Sequence, residues 1–212
     1  MSGFYIDTEA LRLVKAALGA TESQMVAAFY RALKETANQL YKESVAMMFS
    51  ETGAKNKKLV QRRVRRFTKK VSGNQPGSGK IWFGLSDMPV SSLKGRIKSP
   101  RVPLERQRDS KGRFLPYRGS RGATFIPRSP NIKPESFINS FAATLRNTRS
   151  IWIRTEKGHV TEARVPVNTP VLSAIDSDLF AHAGDTLMER FTKDLRGRVA
   201  GNVHLNGKGK KI

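Results

Sequence analysis

The sequence predicts an α+β fold. It should have a long N-terminal helix, a basic helix, a small antiparallel sheet with a hairpin, a long Arg/Pro-rich loop and a C-terminal amphipathic helix. Three observations carry that expectation. A capping box opens a long apolar stripe at helical spacing, a run near residue 150 alternates about a glycine turn, and a second helical stripe lies close to the C-terminus. A chain of 212 residues is long enough for one sizeable core. The expected division is an N-terminal extension over 1–20, one α+β domain over 21–199 with a basic insertion at about 99–134, and a flexible basic tail over 200–212.

Thr21-Glu22-Ser23-Gln24 places a hydroxyl at the N-cap and an amide three residues later, so a helix is expected over 22–50. Val26, Phe29, Leu33, Ala37, Leu40 and then Met47 or Met48 form its stripe, which reads as core. Next, Val60, Val64, Phe67 and Val71 also keep helical spacing, and predict a basic amphipathic helix over 57–71. Lys57, Lys58, Arg62, Arg63, Arg65, Arg66, Lys69 and Lys70 surround that thin stripe. No acid occurs between Glu51 and Asp87, so helical ion pairs cannot form within the segment. The repulsion must be answered from outside, which makes the segment a candidate docking surface for an anionic partner.

Gly73 to Lys80 imitates a phosphate-binding P-loop but lacks two of its working parts. Ile81 follows Gly79-Lys80 where a magnesium-binding hydroxyl is required, and Asn74 stands at the first glycine position. The glycines therefore read as a hinge. Beyond them, 80–85 reads as a strand, Asp87 to Val90 as a turn, and 93–97 as a second short segment. From Ser99 to Pro134 there are six prolines and seven arginines against Glu105 and Asp109. A loop of this length is either functional or disordered until bound. Within it Phe114 and Tyr117 alternate with Lys111, Arg113, Arg118 and Arg121, which suits single-stranded nucleic acid or a protein groove equally. A β-hairpin is expected at 150–156 against 160–166, turning at Glu156 to His159. Asn168-Thr169-Pro170 opens a short helix, and the last helix runs over about 178–199 on Leu179, Ala183, Leu187, Phe191, Leu195 and Val199.

Composition narrows the function. Thirty-nine Lys and Arg against 17 Asp and Glu leave a formal net charge of +22. Such an excess repels itself and calls for a polyanion, acidic neighbours or counterions. There is no cysteine, which removes disulfides and thiolate chemistry. No apolar run is long enough for a membrane helix, and Asp7 and Glu9 break any signal-peptide pattern, so a soluble protein made where it acts is expected. His159, His182 and His204 are not spaced as a metal set, Asp176 and Asp178 read as helix-capping acids, and no serine has the context of a hydrolase elbow. The expectation is no enzyme, no cofactor, no metal and no small-molecule substrate.

The order of segments resembles one family. A long alanine-rich helix is followed by Lys57-Lys58-Leu59-Val60 and Arg62-Arg63-x-Arg65, then by Leu85-Ser86-Asp87-Met88-Pro89-Val90. An Arg/Gly-rich stretch, Phe137-Ile138, and Arg164-Val165-Pro166-Val167 with Pro170-Val171 then lead into the last helix. Across roughly 25–199 this is similar to the minor tail protein Z family of lambda-like tailed phages, with a longer Arg/Pro loop and extra residues between Phe141 and Ile151. The resemblance implies a virion structural protein, a tail-completion or neck component at the head-proximal end of the tail, assembled in the host cytoplasm. It implies a homo-oligomeric ring, expected as a hexamer, among other neck, tail or connector proteins and beside genomic DNA. The contacting residues would be Lys57, Lys58, Arg62, Arg63, Arg65, Arg66, Lys69, Lys70, Arg113, Arg118 and Arg121. A stand-alone nucleic-acid-binding protein is the alternative. A ribosome-associated protein shares the charge but accounts less well for the long helices and the hairpin.

Overall fold

The computed structural model describes residues 2–5, 8–69, 77–99, 108–113, 122–155 and 159–203, with backbone alone at 2–5, 8, 177 and 178. The fold is α+β. In chain order its elements are β1 (Ser2–Tyr5), α1 (Thr8–Ala17), α2 (Glu22–Thr52), α3 (Lys57–Gln61), β2 (Val64–Lys69), β3 (Ser78–Phe83), β4 (Met88–Pro89), β5 (Gly95–Lys98) and β6 (Ala123–Pro127). There follow β7 (Glu135–Phe137), β8 (Ser140–Leu145), β9 (Thr148–Arg154), β10 (Val160–Glu162), β11 (Arg164–Val165), α4 (Asn168–Ala174) and α5 (Ala183–Ala200). The chain divides into two compact units: Met1–Met47 with Val60–Gly84 and Ser173–Ile212, and Met48–Leu59 with Leu85–Leu172.

In the first unit, α2 starts as its capping box dictates. The Gln24 amide donates to Thr21 Oγ1 at 3.3 Å, and the Thr21 amide donates to Gln24 Oε1 at 3.0 Å, so each satisfies a backbone group the helix leaves open. Helix α5 runs antiparallel to α2. Gln24 Nε2 donates to the Arg198 carbonyl at 3.3 Å, Arg31 Nη1 to Asp194 Oδ1 at 3.1 Å, and Arg190 Nη1 to Thr36 Oγ1 at 3.2 Å. Phe29 and Phe191 meet edge to face at 6.3 Å, and Leu33, Ala37, Leu187 and Leu195 are fully buried with them. Full burial of one such Leu or Phe side chain contributes about 1.5–3 kcal/mol. Helix α5 begins later than its stripe suggests, because Ile175–Leu179 form a wider π turn.

The segment expected as a basic helix over 57–71 is not one helix. Helix α3 ends at Gln61, Arg62 and Arg63 turn, and the chain continues as β2, paired antiparallel to β3 from Val64↔Phe83 to Lys69↔Ser78. A helix would stack its cations at i,i+4 with no acid to relieve them. The strand sends alternate side chains to opposite faces and gains a hydrogen-bonded neighbour. Val60 and Val64 of the expected stripe are buried, but Phe67 is 55% exposed. The hinge reading is also corrected in part, since Ser78 and Gly79 lie inside β3; 70–76 fall outside the described residues. Gly77 has a packing reason: a Cβ there would stand 2.6 Å from the Phe29 ring, so β3 enters directly on α2. The first twenty residues, read as an extension, contribute α1 and β1, and β1 pairs with β3 to give the order β1-β3-β2.

The second unit holds two three-stranded antiparallel sheets, β5-β6-β7 and β10-β9-β8, and the pair β11-β4. The expected hairpin is present in part, with Val160↔Arg154, Thr161↔Ile153 and Glu162↔Trp152 in register, but the rest of its second strand leaves it, since Arg164 and Val165 pair with Pro89 and Met88 of β4; 156–158 lie outside the described residues. A second hairpin precedes it, in which β8 and β9 are joined by Arg146 and Asn147, both in the left-handed region at φ 50° and 61°. The insertion at 99–134 is not loop throughout, because β6 lies within it between β5 and β7. Gly122 permits that entry: at φ 75° a Cβ would fall 1.7 Å from the Phe137 carbonyl. Ser129 Oγ donates to the Glu51 carbonyl at 2.7 Å, and Asn131 Nδ2 to the Glu51 carboxylate at 2.6 Å.

Candidate functional site

The cations singled out by sequence do not form one stripe. Lys57 and Lys58 are exposed on the single turn of α3, in the second unit, whereas Arg62 to Lys69 belong to the first. Lys70, Arg118 and Arg121 lie outside the described residues, as do Phe114 and Tyr117. Arg113 closes a tight turn built on Asp109. The carboxylate accepts from the Lys111 and Arg113 amides at 2.9 and 2.8 Å, and Arg113 Nε stands 3.9 Å from it, so this cation has an acid of its own. Arg63 has a structural duty: half-buried, it donates through Nη1 to the Gly84 carbonyl at 3.2 Å, while its own carbonyl accepts the Gly84 amide at 2.7 Å.

What remains together is the β2–β3 ribbon. Cross-strand partners share a face, so Arg65 with Trp82, and Phe67 with Lys80, lie on one side. The opposite side carries Val64 and Ile81, both buried, together with Arg66, which reaches out to cover Tyr41 of α2. On the exposed side the Arg65 guanidinium sits 5.9 Å from the centre of the Trp82 ring; on the other, Arg66 sits 5.5 Å from that of Tyr41. Both cations meet ring faces rather than carboxylates. An open groove of about 230 Å³ is lined by Arg65, Phe67, Lys80, Ile81 and Trp82. Neither strand contains an acidic residue. The sequence places Phe67 on an apolar helical stripe and does not single out Lys80 or Trp82. The alternations Arg65-x-Phe67 and Lys80-x-Trp82 are the available signal, at period two rather than 3.6.

No three His, Cys, Asp or Glu side chains among the described residues gather as a metal site, and no helix among them is long and apolar enough to cross a membrane. One acidic pair stands out, Glu135 with Asp87: burial first, and the Asp87 charge second, push the Glu135 carboxyl above its ordinary range. The exposed face of the ribbon thus sets Arg65 and Lys80 beside Trp82 and Phe67, with no acid on either strand. Comparison with family models, curated proteins and solved structures finds no match in any of the three.

Proposed function

We propose that this chain is a non-enzymatic structural subunit of a tailed-phage neck or tail-completion ring, seated at the head-proximal end of the tail against DNA or acidic neighbouring subunits. The segment order of the minor tail protein Z family supports the placement, and the charge supports the partner. The observation that carries the reading is the exposed, acid-free β2–β3 ribbon on a chain of net charge +22. A ring of such subunits repels itself, so its assembly depends on DNA, acidic partners or salt. Mass spectrometry of purified parent particles tests this: the chain should be present at ring stoichiometry, and its absence from virions overturns the reading. Changing Arg65 and Arg66 to Ala should leave the fold intact and lower infectious titre.

The exposed Phe67 and Trp82 favour a second reading, a stand-alone nucleic-acid-binding protein. Each phosphate neutralised on duplex DNA steepens the log–log salt dependence of binding by about 0.9. A normal monomer on a sizing column that binds duplex tightly and with a steep salt slope favours this second reading; rings or higher assemblies with weak duplex binding favour the first.

A further inference from the structure

We infer that the exposed face of the β2–β3 ribbon is a stacking site for single-stranded nucleic acid, with Trp82 and Phe67 taking bases and Arg65 and Lys80 taking phosphates. This goes beyond the ring-subunit reading, with which it shares only an anionic partner. The register places Phe67 opposite Lys80 and Trp82 opposite Arg65, so the two rings are diagonal neighbours on one face with a cation beside each. Diagonal pairs stand about 7–8 Å apart, within reach of successive bases on an extended strand. Phe67 is 55% and Trp82 37% exposed, although large aromatics are ordinarily buried, and both line the same open groove.

Three observations choose this occupant. The face is cationic with no acid on either strand, which matches a phosphate backbone. Aromatic rings among those cations match unstacked bases, which present their own flat faces; a duplex hides them. A second copy of the chain fits poorly. Strand β2 is the sheet edge, but pairing it with itself would set Arg65, Arg66 and Lys69 against their own kind.

The test uses the full chain and fluorescence anisotropy with oligothymidylate of about sixteen nucleotides, a duplex of equal length, and polyglutamate. Trp82→Ala and Phe67→Ala should each weaken oligothymidylate binding about tenfold or more, with the salt slope unchanged because no charge is removed. Trp82→Phe should stay within about threefold of the parent, since a ring remains to stack. Far-UV circular dichroism and melting of each variant separate loss of the face from loss of the fold. Oligothymidylate binding indifferent to both alanine variants overturns the inference, as does polyglutamate binding that falls in parallel with them. If duplex or polyglutamate still binds while oligothymidylate does not, this inference fails and the ring-subunit reading stands; if nothing anionic binds, both fail.

Discussion

The α2–α5 helix pair, with α2 taken as far as Met47, and the β2–β3 ribbon belong to the same compact unit, and they treat arginine in opposite ways. Between the helices every named guanidinium finds a polar partner within the fold. Arg31 meets Glu35 and Asp194, Arg198 meets Asp194 at 2.6 Å, and Arg190 meets Thr36 and Gln39. On the ribbon Arg65 and Arg66 meet the faces of Trp82 and Tyr41 instead. The first arrangement uses its charge to hold two helices in register. The second leaves charge facing outward, at a cost in self-repulsion that folding alone does not require. On the reading proposed above, stability and recognition are carried by different parts of one unit.

Substitutions can break or sharpen that contrast. The largest expected effect is in the helix pair: Phe191→Ala, at a fully buried ring against Phe29, should cost about 3–5 kcal/mol in a urea titration. A loss below about 1 kcal/mol would mean the pair is not the core of its unit. Next, Asp194→Ala removes the carboxylate shared by Arg31 and by Arg198, whose side chain is only 8% exposed, and should cost about 2–3 kcal/mol in the same titration. On the ribbon, Arg65→Ala with Arg66→Ala should change stability by no more than about 1 kcal/mol, because the repulsion it relieves offsets the cation–ring attraction it removes. Wild-type melting temperature should rise with added salt more than that of this variant; equal salt responses would show that the ribbon's charge is already balanced.

The smallest effect concerns acids rather than cations. Glu135 is held above its ordinary range by burial and by Asp87, so its folded form binds a proton more readily than its unfolded form. Stability from this group is therefore greatest at low pH and falls as pH rises through the elevated folded value. Glu135→Gln should stabilise modestly at neutral pH, and the gain should vanish below the ordinary glutamate range. A gain that persists at acid pH would remove the charge as its cause.

Much of the helical architecture is legible in the sequence. The Thr21–Gln24 capping box and the α2 stripe are local signals, and the reciprocal hydrogen bonds are where they should be. The hairpin of β9 and β10 is legible for the same reason. The hairpin of β8 and β9 is not. Its turn uses Arg146 and Asn147 in left-handed geometry instead of an Asn-Gly pair, so nothing local announces it. The ribbon is hidden because Val60, Val64 and Phe67 fit a 3.6-residue period by coincidence, while the partner that makes 64–69 a strand, β3, lies beyond an intervening stretch of chain. Of the candidate site, the identity of most of the cations is visible, but not which of them share a face.

The sequence by itself determined the charge, the absence of cysteine chemistry, the caps and stripes of the long helices and one hairpin, because these depend on residues within a turn or two of one another. Only the tertiary structure decided that the basic segment divides into a short helix and a strand, that 123–127 is a strand within the basic insertion, and that Phe67, Trp82, Arg65 and Lys80 lie on a common surface. Strand pairing joins residues distant in the chain, and which face a side chain takes is fixed by the partner's register rather than by its own neighbours.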